Sequence, residues 1–316
     1  MNVLVTGGAG FIGSHFVDRL LDEGGDQRVT VLDALTYAGT RENLSHREED
    51  ERFRFVHGDI VEAEAVDPLV KDADLVVNFA AESFVDRSIG DARPFAVTNV
   101  QGTLTILDAC RRHEVRMVQV STDEVYGSTP EGAFTEESPL QPNNPYSATK
   151  AGADLLCRSY HRTYGMDVRI FRGPNAYGPR QHPEKAIPTF AIAALEGRTL
   201  PVYGDGANRR EWLHVRDFAG AVLTVTRRGE PGEVYNGGGG HEVTNLDLAR
   251  TICGLTGASP DLIGFVEDRP GHDFRYSMVW DRLRGLGWEP GVPFDRGLEE
   301  TLAWFREHPS RRGSGG

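Results

Sequence analysis

Cysteine is scarce in this chain. Only Cys110, Cys157 and Cys253 occur in 316 residues, far apart and with no CxxC pair. That spacing argues against a disulfide-stapled scaffold or paired-thiolate metal chemistry, so reduced structural thiols and no bound metal are expected. Positive charge is also in short supply. With 34 Lys and Arg against 47 Asp and Glu, the net charge is -13, which speaks against a nucleic-acid surface while leaving room for a local basic pocket. No apolar run reaches membrane-spanning length, and Met1 leads almost directly into a strand-like run without a basic or signal-type segment. A cytoplasmic chain with no membrane partner is the simplest expectation. Internal repeats and low-complexity stretches are missing as well.

What is present is an alternation. Val3–Thr6, Val29–Leu32, Phe53–Val56, Leu75–Phe79 and Met117–Val120 read as strands, separated by stretches with helical spacing. With 39% hydrophobic residues, a large core is available, and the order predicts an α/β fold: a doubly wound parallel Rossmann sheet with a smaller substrate-binding domain. A dinucleotide-binding domain is expected over 1–175 and a mainly substrate-binding domain over 176–316, with about 210–245 returning in part to the first. Leu213–Val215 is expected to re-enter the main sheet, followed by a helix over Asp217–Val225. Helices are also expected over Leu246–Leu255 and Leu298–Phe305, and Arg311–Gly316 as a mobile tail.

The first strand runs into Gly7, Gly10 and Gly13, with Phe11 and Ile12 opening a helix. Glycines at this spacing allow a tight turn, close approach to a pyrophosphate and helix-on-strand packing. Asp33 closes the second strand where a carboxylate can hold an adenosine ribose diol and repel a 2'-phosphate, which favours NAD. Asp59 and Ile60 are placed near the adenine, and Ala80, Ala81 and Asn99 near the nicotinamide half. For Asp59 a turn or cap role stays open, and for Asn99 a backbone tie.

Tyr146 and Lys150 are four residues apart, so one helix face presents both; an ammonium there would favour the phenolate and could also hold the nicotinamide ribose. An ordinary surface i,i+4 pair is the bland alternative, weakened by the strand that precedes it. Asp123 and Glu124 stand at the tip of that strand, the edge at which such sheets bind ligands. Two carboxyls there can be driven to different protonation states, one acting as acid and the other as base.

The stretches TGGAGFIGSH, LDALTYAG, HGDI, STDEVYG, NPYSATK, HPEKAIP, NRREWLHVRDF and DRPGHDFRY resemble the extended short-chain dehydrogenase/reductases, and among them the dTDP-glucose 4,6-dehydratases, from Met1 to about Trp288. The resemblance implies oxidation of a nucleotide sugar at C4, loss of water across C5 and C6, and return of hydride to C6. It assigns the 4-OH proton to Tyr146, a supporting role to Lys150, a bond to the reacting oxygen to Thr122, the C5 proton to Glu124 and protonation of the leaving C6 oxygen to Asp123. It further implies Glu82, Ser83 and Arg87 near the sugar or phosphate, and Asn175, Arg210 and Arg275 near the diphosphate and nucleotide, with Lys185 at the entrance or the sugar. Each arginine keeps a structural ion-pair reading, and Trp212 reads as core. A homodimer, common in that family, is also implied. Phe84, Pro174, Ala176 and His241 depart from the usual pattern, and His241 stands where a nucleotide-contacting asparagine is usual. A 4-epimerase, a uronate decarboxylase and a non-catalytic nucleotide-sugar sensor are the alternatives.

Overall fold

The computed structural model describes residues 1–313. The chain begins β1 (Asn2–Thr6), α1 (Phe11–Asp22), β2 (Arg28–Asp33), β3 (Phe53–His57), α2 (Ala63–Lys71) and β4 (Leu75–Asn78). Two short helices, α3 (Val85–Gly90) and α4 (Arg93–Phe95), lead through a π-helical turn into α5 (Thr103–His113), β5 (Arg116–Thr122), α6 (Pro145–Tyr164) and β6 (Val168–Gly173). There follow β7 (Asn175–Tyr177), α7 (Ala186–Leu195), β8 (Leu200–Tyr203), β9 (Arg209–His214), α8 (Val215–Arg228), β10 (Val234–Asn236) and β11 (Glu242–Thr244). The chain continues with α9 (Asn245–Thr256), β12 (Ile263–Val266), α10 (Asp281–Gly285) and α11 (Phe294–Glu307).

Seven strands form one parallel sheet in the order β10-β6-β5-β4-β1-β2-β3. Chain order reverses between β1 and β4, and a crevice at the carboxyl ends of those strands is where such sheets bind ligands. Both faces are covered, which is why the strands read as near-continuous apolar runs. On one face α1 buries Phe16, Val17, Leu20 and Leu21 against a core that includes Val222 and Val225 of α8. Each such side chain contributes about 1.5–3 kcal/mol of transfer free energy. On the other face α2, α5 and α6 pack through Val66, Val70, Ile106, Leu107 and Cys157.

A third core gathers α7, α9 and α11 around Phe190, Leu248, Ile252, Leu298 and Phe305. All three cysteines are buried and free. Among the described residues no helix is long and apolar enough to cross a membrane.

Two expectations need correction. Leu213 and His214 lie in β9, which pairs with β7 and β11 in a separate three-stranded sheet. The strand that returns to the main sheet is β10, after α8. A three-residue strand is too short to reveal itself by alternation, and the Leu213–Val215 stretch carries no sign of its pairing partner. The terminal segment is docked as far as it is described: Pro309–Arg312 form a 3-10 turn, with Arg312 Nε donating to the Phe305 carbonyl at 2.9 Å. Ser314–Gly316 lie outside the described residues.

Candidate active site

A cleft of about 320 Å³ opens along the carboxyl edge of the main sheet. At its floor the glycine-rich loop is shaped by contacts that exclude larger residues. A Cβ on Gly7, at φ +68°, would lie 2.5 Å from the Ala80 nitrogen, and one on Gly13 would lie 2.3 Å from the Gly7 carbonyl oxygen. Gly10 caps α1 without a side chain, leaving the first-turn N–H groups open to an anion.

Asp33, at the end of β2, accepts the Ala9 N–H through Oδ2 at 2.9 Å and the Leu35 N–H through Oδ1 at 2.8 Å. Leu35 adopts φ +50°, an uncommon conformation for a non-glycine residue, as it brings that N–H to the carboxylate. Burial raises the Asp33 carboxyl while the two N–H groups lower it. This combination of glycine cradle, open helix terminus and oriented carboxylate fits a dinucleotide.

The acid pair arises where β5 ends and a 3-10 turn, Asp123–Tyr126, begins. The Thr122 hydroxyl caps that turn by accepting the Glu124 N–H at 3.3 Å and donates to Asp123 Oδ1 at 2.9 Å. Asp123 is 2% exposed. Burial, and then the Glu124 charge, hold its carboxyl well above the ordinary range. Glu124 is raised by burial too, but Lys185, Arg269 and Arg210 pull it back. Glu124 Oε2 is buried with no hydrogen-bond partner among the described residues. These surroundings favour the neutral form more strongly at Asp123 than at Glu124.

Tyr146 and Lys150 lie on α6, which starts at Pro145 behind a capping box between Asn144 and Ser147. The Tyr146 N–H donates to Ser88 Oγ at 3.2 Å, and Lys150 Nζ donates to the Val120 carbonyl at 2.8 Å. Burial, and then the Glu124 and Asp123 charges, raise the phenol well above its usual value; the Thr122 side chain opposes them. Burial lowers the Lys150 ammonium, with Asp154 acting the other way. The depressed phenol expected of the Tyr–Lys pair is thus not produced by these side chains alone.

Most of the residues singled out from sequence line this cleft: Gly7, Gly10, Phe11, Ile12, Gly13, Asp33, Asp59, Ile60, Ala80 and Ala81, together with Glu82, Ser83, Asn175 and Lys185. Lys185 donates to the Ser83 carbonyl at 2.6 Å and lies 4.3 Å from the Phe84 ring centre. Five others stand outside the lining. Asn99 ties backbone together, accepting the Glu82 N–H at 2.9 Å and donating to the Glu82 carbonyl and Thr149 Oγ1. Arg87 pairs with Glu184 at 2.6 Å and covers Tyr37. Arg275 pairs with Glu242 at 2.7 Å, and His241 stacks on Phe294 at 4.0 Å. Arg210 spends its donors on the carbonyls of Arg209, Asp273 and Phe274, while its charge still acts on both acids.

Sequence reading missed other parts. Phe84 and His182, both lining the cleft, form a mutual edge-on cluster with Tyr37, with centroids 5.6–5.8 Å apart. Trp212 is core, as expected, yet it also lines the cleft, and its Nε1–H has no partner among the described residues. It pairs in register with Asn175, whose Nδ2 is likewise unpartnered among them. No local pattern distinguishes such a tryptophan from an ordinary core residue; only the NRREWLHV stretch as a whole carries a signal.

The GDP-mannose 4,6 dehydratase family model matches residues 4–301. The low-salt glycan biosynthesis protein Agl12 of Haloferax volcanii is 56% identical over 306 residues, 96% of this chain and 98% of that protein. A dTDP-glucose 4,6-dehydratase of Streptomyces niveus is 51% identical over 315 residues, 98% of this chain and 94% of that one. The crystal structure of DesIV, a dTDP-glucose 4,6-dehydratase from Streptomyces venezuelae with NAD and TYD bound, superposes with a TM-score of 0.96 at 52% identity, covering 98% of each chain. On a family match spanning nearly the whole chain, and on relatives of this similarity over almost their full length, the chain belongs to the GDP-mannose 4,6-dehydratase family.

Proposed function

We propose that this chain is an NAD-dependent lyase, a dTDP-glucose 4,6-dehydratase that forms dTDP-4-keto-6-deoxyglucose. The observation that carries the reading is the unequal carboxyl pair, Asp123 and Glu124, in one cleft with Tyr146 and Lys150. An epimerase needs the tyrosine and lysine but has no use for an elimination pair.

Gly7, Gly10, Gly13 and Asp33 would hold NAD, which when bound supplies a hydride acceptor at C4, the hydride returned at C6 and a positive charge beside the phenol. Tyr146 receives the 4-OH proton, its phenol lowered by that charge together with Lys150. A 4-keto group makes the C5 hydrogen acidic. Glu124, with an unpartnered oxygen, removes it, and Asp123 protonates the departing C6 oxygen. Thr122 holds Asp123 in orientation. Asn175 and Trp212 donate to acceptor oxygens of the nucleotide sugar, and Lys185 holds Glu124 ionised. Glu82 and Ser83 shape the sugar end. Arg210 supplies positive potential from behind.

Residues 1–175, rejoined by α8 and β10, form the dinucleotide-binding half in this reading, and most of 176–316 the sugar-binding half. The active form is a cytoplasmic homodimer. Exposed Val97 and Leu155, at 43% and 53%, favour an interface on that helical face, and light scattering tests it.

The deciding assay is mass spectrometry of products from a panel of nucleotide sugars. dTDP-glucose should lose one water, about 18 Da, with hydride passing internally from C4 to C6. Unchanged mass with inversion at C4 would make the chain an epimerase; loss of carbon dioxide from a uronate would make it a decarboxylase.

A further inference from the structure

We propose that Arg311, in the C-terminal 3-10 turn, is a positioning residue for the dinucleotide loop, acting through Asn43. The inference rests on the NAD reading above.

Ala9 lies in the middle of the glycine-rich loop, and both of its backbone polar groups are committed. Its N–H donates to Asp33 Oδ2 at 2.9 Å, and its carbonyl accepts Asn43 Nδ2 at 2.9 Å and the Thr40 N–H at 3.1 Å. One residue therefore sets the loop, the ribose-side carboxylate and the 40–43 segment relative to one another. Asn43 is 3% exposed, so its amide is a buried polar group whose two ends are not equivalent.

Arg311 decides which end faces which way. Its Nη2 donates to Asn43 Oδ1 at 2.7 Å and its Nη1 to Glu42 Oε2 at 3.0 Å. A guanidinium has donors only, so it demands the amide oxygen and leaves Nδ2 to face the Ala9 carbonyl. The fork over two consecutive residues also fixes the guanidinium plane. The turn that carries Arg311 is itself held: its N–H donates to the His308 carbonyl at 3.0 Å, and its guanidinium lies 5.6 Å from the Trp304 ring centre on α11. A helix of the third core thus reaches the loop that opens α1 by the relay Arg311, Asn43, Ala9, Asp33. Without Arg311 the Asn43 amide oxygen loses its donor and only the Ala9 carbonyl orients the group, which loosens its hold on the loop.

The test is release of NAD from full-length holoenzyme, followed by exchange against labelled NAD, with melting temperature and the KM for dTDP-glucose measured beside it. Arg311→Ala should speed release about five- to tenfold, in line with loss of a charge-assisted hydrogen bond. The melting temperature and the sugar KM should stay close to wild type. Asn43→Asp, which keeps the acceptor for Arg311 but loses the donor to Ala9, should also speed release. Arg312→Ala, from the same turn but bonded to the Phe305 and Arg306 carbonyls, should leave release unchanged. Equal release from wild type and Arg311→Ala overturns the relay, as does equal acceleration by Arg312→Ala, which would indicate loss of tail docking alone. Wild-type protein that retains no NAD and binds none would overturn the cofactor reading itself, and the relay with it.

Discussion

The Thr122 hydroxyl donates to Asp123 Oδ1 at 2.9 Å while its oxygen accepts the Glu124 N–H at 3.3 Å. One side chain thus anchors Asp123 and caps the turn that presents Glu124. Burial and its neighbour's charge hold the Asp123 carboxyl well above its ordinary range, whereas Glu124, also raised by burial, is pulled back by the charges of Lys185, Arg269 and Arg210. Two adjacent carboxyls are thus set apart by environment rather than by residue type.

Replacing Glu124 with Gln keeps the shape and removes the base. We expect exchange of the C5 hydrogen with solvent deuterium, and formation of the 4-keto-6-deoxy product, to slow together by roughly 10²- to 10⁴-fold. Single-turnover mass spectrometry measures both. Unchanged rates in a folded variant would remove Glu124 from the elimination step.

The charge of Lys185 lowers the Glu124 carboxyl, against burial, which raises it. Glu124 must be ionised to accept a proton, so activity falls on the acid side as the pH passes through its apparent pKa. Lys185→Met removes the cation, raises that pKa and should move the acid limb of the kcat profile to higher pH. A limb that stays put, or moves down, would show that Lys185 does not set the ionisation of Glu124.

Trp212→Phe deletes an indole N–H that is buried without a partner among the described residues and keeps most of the ring volume. Leaving such a donor unsatisfied costs about 1–3 kcal/mol, which offsets the packing lost on truncation. Melting temperature should therefore change by only a few degrees. The KM for dTDP-glucose should rise about tenfold, the effect of one lost hydrogen bond. An unchanged KM would return Trp212 to a packing role.

His214 is 1% exposed; burial, and then the Arg216 charge, lower its imidazole to about 3, and Nδ1 accepts the Arg216 N–H at the start of α8. Its folded pKa lies below the unfolded value of about 6.5. Its contribution to stability is therefore full above pH 6.5 and lost as pH falls toward 3, with a slope approaching about 1.4 kcal/mol per pH unit. His214→Asn keeps a helix-capping side chain and abolishes the titration. Denaturant melts between pH 7 and pH 4 should show a shallower decline for the variant. Parallel declines would mean that other groups govern acid sensitivity.

The glycine loop, Asp33, the Asp123-Glu124 pair and the Tyr146-Lys150 spacing were legible in the chain because each depends on local geometry: one tight turn, one strand end, one helical repeat. The parallel sheet was legible because strands buried on both faces must be apolar throughout. Partner choice was not. Arg87 meets Glu184, 97 residues away, Arg275 meets Glu242, 33 away, and Arg311 meets Asn43, 268 away. An arginine carries the same chemistry whether it faces a phosphate or a carboxylate. The strand ending at His214 could have joined either sheet, and pairing placed it in the smaller one. Tertiary structure also decided which carboxyl is raised further, because protonation follows burial and nearby charge, and both are set largely by residues remote in sequence.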